Sequence, residues 1–276
     1  LAAFAFLSVA LILYPVEFRL EYSPIQSVDA IPMLWIFAPL LVVWMGLLFA
    51  LLWSTDNAWA VAGLVVCFGL VYFSFWTLRW ANGFWESWTK MQGAQVIIAS
   101  GHLQPVLMHY GEWPGLATFG AMASLITGRE LASLIRPVVL VVQVALPACL
   151  FALYWRVLGN TRAAVLAVLL AIMANAYLAR FHFHPFWFAT VPLVVALIVL
   201  LRHTPPLHAR SSEIKLYLFL SASLTFFHTY TALLLFFLAA GMFCLQRLRQ
   251  ARFSTIVVPL PMLLLLGLFP MIWQLY

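Results

Sequence analysis

Residues 216–246 read LYLFLSASLTFFHTYTALLLFFLAAGMFCLQ. The run holds no Asp, Glu, Lys or Arg. A helix crosses a bilayer with about 20 apolar residues, so a run of about 30 is too long for one straight span. Its polar residues cluster near the middle, at His228-Thr229-Tyr230-Thr231. The run therefore divides there into two short helices that meet at a polar elbow. Backbone broken at membrane depth is tolerated only where protein buries it or it lines a cavity. An ionisable residue at that depth is a functional candidate by default. The plainer reading of His228 is a helix–helix hydrogen bond.

The rest of the chain has the same character. Of 276 residues, 66% are hydrophobic and 8% charged, and mean hydropathy is +1.04. A soluble domain carries about 25% charged residues, so this composition argues against a water-coated surface and against disorder. The apolar residues form long runs rather than alternating, which disfavours a transmembrane barrel. The expected fold class is all-α, a polytopic integral membrane helical bundle of about 8–9 spans with interfacial or re-entrant helices. Candidate spans are 1–15, 31–53, 58–78, 137–155, 163–179, 186–201, 216–246 and 255–276. The short, small-residue stretch 116–127 is expected to be re-entrant or interfacial. The chain starts without Met and stops inside an apolar stretch, and is read as incomplete. Its N-terminal apolar segment lacks a basic leader, so it is not read as a signal peptide. Cys67, Cys149 and Cys244 stand alone inside apolar runs and read as buried free thiols.

Charge sets the expected orientation. With 54–57, 156–162, 202–215 and 247–254 placed in the cytoplasm, that side holds Arg156, Arg162, Arg202, Arg210, Lys215, Arg247, Arg249 and Arg252 against Asp56 and Glu213. Lys and Arg balance the carboxylates on the opposite side. The +6 surplus thus falls in short loops on one face. Most carboxylates fall on the other, with His102, His109, His182, His184 and the elbow His228. This sorting requires 116–127 not to span. It places any titratable chemistry on the outer face.

Three parts follow: N-terminal transmembrane helices at 1–78, an outer segment at 79–136, and C-terminal transmembrane helices at 137–276. The outer segment is the longest polar stretch, and long loops are often functional. Residues 85–99 suit an interfacial helix, with Trp85, Trp88, Met91 and Ile98 near one face. Ser100-Gly101 ends it. Gln104-Pro105 and Glu112-Trp113-Pro114-Gly115 read as turns.

Glu86 is the leading carboxylate, a candidate general base above a membrane cavity. The alternative is a surface ion pair with Lys90, four residues on. His182-Phe183-His184-Pro185 follows Arg180. Pro185 favours extended geometry at His184, so the two imidazoles can point the same way. They suit substrate or phosphate contact beside Arg180. A divalent metal is a second option, with a third ligand from His228, His109 or Glu112. The plain alternative is an aromatic anchoring belt of Phe181, Phe183, Phe186 and Trp187. Arg129, Glu130 and Arg136 either pair or face a lipid phosphate. Arg247, Arg249 and Arg252 read as topology anchors. There is no GxGxxG, P-loop or HExxH, and nothing suggests nucleic acid.

The order of features resembles one known superfamily. An acidic residue on an interfacial helix is followed by Ala-Ser-Gly101-His102-Leu, then a Tyr110…Trp113-Pro114-Gly115 turn. A short helix ends Ser124-Leu-Ile-Thr-Gly128. A span ends Tyr154-Trp155-Arg156. Then come Phe181-His182-Phe183-His184-Pro185 and Leu-Thr-Phe-Phe-His228-Thr-Tyr230-Thr. Residues 79–246 thereby resemble the GT-C superfamily of polytopic membrane glycosyltransferases. The resemblance implies inverting transfer of a sugar from a polyprenyl-phosphate-linked donor to an acceptor on the non-cytoplasmic face of a prokaryotic plasma membrane. It implies Glu86 as the base, where the family usually has Asp with a His soon after. It matches Tyr110, Glu112 and Pro114 to the family's turn before its short helix. It makes Arg136, Arg180 and His182 candidates for the donor phosphate; Lys90, His184, His228 and Tyr230 are further candidates for substrate or phosphate contact. Two other classes fit the composition. One is a non-catalytic subunit of a larger membrane complex, with a haem or chlorin held by His. The other is a transporter with broken helices, for which no inverted repeat is evident.

Overall fold

The computed structural model describes residues 85–103, 114–174, 185–201, 211–248 and 260–275, with individual residues between 42 and 66. All regular structure among them is helical. The helices are α1 (Trp85–Ser100), α2 (Pro114–Thr127), α3 (Leu131–Leu158), α4 (Thr161–Ala174), α5 (Pro185–Leu200), α6 (Ser211–Phe227), α7 (Thr229–Leu248) and α8 (Leu260–Leu275). The expected spans at 1–15 and most of those at 31–53 and 58–78 lie outside the described residues. Asn57 does cap a helical stretch, accepting from the Ala60 N–H at 3.4 Å, just where the 58–78 span was expected to begin.

Among the described residues one helix is long and apolar enough to cross a membrane, the 28-residue α3. The other apolar helical stretches are 10–17 residues long. Helix α3 starts six residues before the expected span, which puts Pro137 inside it. A proline in the second turn loses only one backbone bond, and the helix continues through it.

Helix ends follow local chemistry. Gly101 (φ 73°) terminates α1 as expected, its N–H donating to the Ile97 carbonyl at 2.9 Å. Gly159 (φ 62°) ends α3 in the same way. Asn160 then starts α4, its Oδ1 accepting from the Ala163 N–H at 3.1 Å. Pro114 and Gly115 do not form a turn. They are the first two residues of α2. Proline suits a helix's first position because its missing N–H would have no partner there.

The chain divides into two compact units. One contains residues 1–89 and 132–183, the other 90–131 and 184–276. In the first, α4 buries Ala164, Val165, Val168, Leu169 and Ile172, while Leu166 and Leu170 are exposed. Helix α3 buries Ile135, Val139, Val142 and Leu146 at helical spacing.

The second unit is a bundle in which α5, α6, α7 and α8 pack together and α2 lies against α5 and α6. Its core joins Ala189, Ala196 and Leu200 of α5, Tyr217 and Leu224 of α6, Ala232, Leu235 and Ala239 of α7, and Leu266 of α8. The alanine pairs on α5 and α7 are seven residues apart, two turns on one face. Small side chains there let helix backbones approach closely. The opposite face of α7 is exposed. It carries Cys244, expected to be buried but exposed because it lies off the alanine seam.

Candidate functional site

The run 216–246 does break at His228. Helix α6 ends at Phe227 and α7 starts at Thr229. The backbone carries its hydrogen bonds across the break. The His228 N–H donates to the Leu224 carbonyl at 2.7 Å, closing α6. The His228 carbonyl accepts from Thr231 at 2.9 Å and from Ala232 at 3.3 Å, opening α7.

The side chain makes the cap. His228 Nδ1 accepts from the Thr231 N–H at 3.3 Å and lies 2.7 Å from Thr231 Oγ1. A backbone N–H can only donate, so Nδ1 presents its lone pair and the ring proton sits on Nε2. Thr231 Oγ1 then donates to the same nitrogen. His228 is thus the N-cap of α7 and Thr231 its third residue, the spacing of a side-chain cap.

Hydroxyls follow the same economy. Ser221 Oγ donates to the Tyr217 carbonyl at 2.7 Å, Thr225 Oγ1 to Ser221 at 3.2 Å, and Thr229 Oγ1 to Thr225 at 3.4 Å. All three hydroxyl residues are buried. Each donates to the carbonyl four residues back, Ser221 and Thr225 within α6 and Thr229 across the break, and such bonds tend to bend a helix. The Tyr217 hydroxyl is fully buried without a hydrogen-bond partner among the described residues, and so is Thr118 Oγ1 on α2.

Two further helix starts reach this elbow. On α2, Pro114, Gly115, Leu116 and Ala117 are buried. A β-carbon on Gly115 would stand 2.8 Å from the Phe226 carbonyl oxygen and 2.7 Å from its ring. Only glycine permits that approach. On α5, Phe186 meets the His228 ring edge-on, with centroids 5.7 Å apart. Trp187 is 1% exposed. It is a core residue, so the expected headgroup belt does not include it. Helix α2 also touches α5 through Phe119 and Phe188 at 5.9 Å.

Lys90 completes the group. It is 9% exposed, and its ammonium lies within electrostatic reach of His228. Lys90 is therefore not on the surface, and the Glu86 side chain of the alternative ion pair lies outside the described residues. Tyr230 is 59% exposed, with its ring 5.9 Å from that of His228.

Lys90, Pro114, His228 and Tyr230 are thus assembled in one unit. Glu86 lies in the first turn of α1 and Arg136 in the second turn of α3. Their side chains, and the whole of Tyr110, Glu112, Arg180, His182 and His184, lie outside the described residues. Among the described residues no three His, Cys, Asp or Glu side chains are grouped to hold a metal. Arg129 and Glu130 are exposed in the turn after α2, where the Arg129 carbonyl accepts from Ser124 Oγ at 2.6 Å.

No protein-family model matches this chain, no curated protein matches its sequence, and no solved structure matches it. The chemistry of the elbow is therefore the available guide. Helix starts present backbone N–H groups that lack intrahelical partners and carry partial positive charge. Those of α2 and α5 lie beside the elbow, while that of α7 is capped by His228, and Lys90 is buried within electrostatic reach. Such a place favours an anion. Sequence reasoning missed Gly115 and Phe186 as site residues and saw Thr231 only as part of a polar cluster. The His-to-Thr spacing of three was a readable sign of the cap.

Proposed function

We propose that this chain is a multi-pass membrane glycosyltransferase of the GT-C kind, with about 8–9 spans. It takes a sugar from a polyprenyl-phosphate-linked donor and passes it to an acceptor on the outer face of a prokaryotic plasma membrane. The single observation that carries this reading is the elbow. In a chain with only 8% charged residues, it groups a buried lysine, an Nε2-protonated imidazole and the starts of α2 and α5.

In this reading the elbow binds the donor phosphate. Lys90 and the His228 Nε2–H offset the negative charge that grows on the phosphate as the sugar bond breaks. Glu86, one turn before Lys90 on α1, takes the proton from the acceptor hydroxyl. The acceptor oxygen bonds to the anomeric carbon, that carbon's bond to the phosphate oxygen breaks, and polyprenyl phosphate leaves as the anion. A positioned general base contributes about 10²–10⁴-fold to rate.

The test is transfer from radiolabelled polyprenyl-phosphate sugars by the protein in proteoliposomes. The wild type should form labelled product, and Glu86→Gln should lower turnover by about 10²–10⁴-fold. Equal turnover in both proteins would remove Glu86 from the mechanism. No product above that of protein-free vesicles would remove the activity.

A further inference from the structure

Helix α3 matches a bilayer in length at two levels. Its 28 residues rise about 42 Å, the thickness of a bilayer with its headgroups. Within it, Arg136 and Arg156 stand about 20 residues apart, roughly 30 Å, the thickness of the hydrocarbon core alone. No charged residue lies between them. Arg156 therefore marks one edge of the apolar layer, and the end of α3 lies in the headgroup layer beyond it.

The side chains around Arg156 fit that level. Trp155 is 46% exposed, and Val157 and Leu158 are exposed beside it. Indole rings collect where hydrocarbon meets headgroups. Gly159 and Asn160 lead directly into α4, whose second residue, Arg162, is exposed. The two cations have no acidic neighbour along the chain, because no Asp or Glu occurs between residues 131 and 212. A guanidinium has five donors, so each can serve the protein and a phosphate at once. A water-facing tip would leave an indole and two aliphatic side chains uncovered. A second copy meeting the same tip would bring like charge against like. An anionic headgroup layer covers the apolar side chains and supplies phosphates to both arginines. We infer that the tip between α3 and α4, residues 155–162, docks on anionic phospholipid headgroups, with Arg156 and Arg162 on their phosphates. This rests on the membrane reading proposed above and not on the transfer chemistry, and it adds which lipid the chain selects and where.

The test uses the full chain in nanodiscs of phosphatidylcholine with a minor share of phosphatidylglycerol. A photoreactive p-benzoylphenylalanine replaces Val157 or, for comparison, Val141, both exposed on α3. Position 141 lies about 24 Å along the helix from 157, beyond the reach of one leaflet. After irradiation, lipid adducts are identified by mass spectrometry. At position 157, phosphatidylglycerol should be enriched about twentyfold over its share of the bilayer, and at 141 it should not be enriched. Arg162→Gln should lower the enrichment about fivefold, and the double variant Arg156→Gln/Arg162→Gln should bring it near parity while adducts still form. The single variant changes one exposed side chain, so it decides the matter if the double variant does not fold. Excess inorganic phosphate at constant ionic strength should leave the enrichment unchanged. Adducts at 157 without enrichment, or enrichment abolished by inorganic phosphate, would overturn the inference. So would a cross-link to a second copy in place of lipid. Adducts at 141 and none at 157 would keep the membrane reading and refute the place of the tip. Adducts at neither position would refute the membrane reading and the inference with it.

Discussion

Helix α3 and the α6–α7 pair are both long apolar stretches, and they treat helix-breaking residues in opposite ways. Helix α3 contains Pro137 and Pro147 and runs unbroken for 28 residues. Residues 211–248 contain no proline, yet the helix breaks at His228. A proline inside a helix removes one hydrogen bond and costs roughly 3 kcal/mol in water. An apolar surrounding discourages any wider opening, because each exposed backbone group would lack a partner. The break at His228 succeeds because its backbone groups find partners. The imidazole caps Thr231, and the carbonyl of Phe226 lies against Gly115. In this protein a cap and a close contact make the elbow, and a breaker residue alone does not.

The largest expected effect comes from the contact at Gly115. Gly115→Val puts atoms into the Phe226 carbonyl and ring, and overpacking of that kind costs about 1–3 kcal/mol or more. Folded yield and thermal stability in detergent should both fall sharply. Gly241→Val, with open space around it, is the control and should leave both unchanged. If the two variants behave alike, the close approach of α2 to the elbow is wrong.

The cap comes next. His228→Ala removes the acceptor for the Thr231 N–H and should destabilise by about 0.5–2 kcal/mol. His228→Asn keeps an acceptor at the same distance from the backbone and should recover most of that loss in a chemical-denaturation midpoint. Thr231→Val removes one hydroxyl bond to Nδ1 and should cost about 0.5–1.5 kcal/mol.

Smaller effects probe the other side of the comparison. Pro137→Ala, at an exposed position on α3, restores one N–H to a helix that is already continuous. Helix content by circular dichroism should not change, and stability should not fall. The smallest effect belongs to Tyr217→Phe. It removes a buried hydroxyl that has no hydrogen-bond partner, so stability should stay level or rise slightly. A clear loss would mean that the hydroxyl is engaged.

Much of the local structure was legible in the sequence. The polar cluster at 228–231 marked the break because nothing else in that run competes for the role. Gly101 marked the end of α1, and the apolar runs marked α3 to α8 to within a few residues. Features set by distant contacts were not legible. The spacing of Glu86 and Lys90 left a surface pair as the alternative to Glu86 as base, and the burial of Lys90 comes from packing that its own helix does not reveal. Pro114-Gly115 is compatible with a turn or a helix start, and the packing against Phe226 favours the start. Trp187 looked like an interfacial aromatic, but it is buried in the bundle. Of the site, His228 and Tyr230 were named from their place in the run, Pro114 through the resemblance, and Lys90 as a substrate-binding candidate. Their grouping depends on how α1, α2 and α5 meet the break.

The most direct measurement compares His228→Asn with wild type in the proteoliposome transfer assay, with stability recorded on the same preparations. Asn preserves the cap but supplies no imidazole. The elbow account predicts near-normal stability with turnover lowered by about tenfold or more, from loss of the ring N–H that faces the phosphate. Near-normal stability with wild-type turnover would contradict it and leave His228 as a cap only.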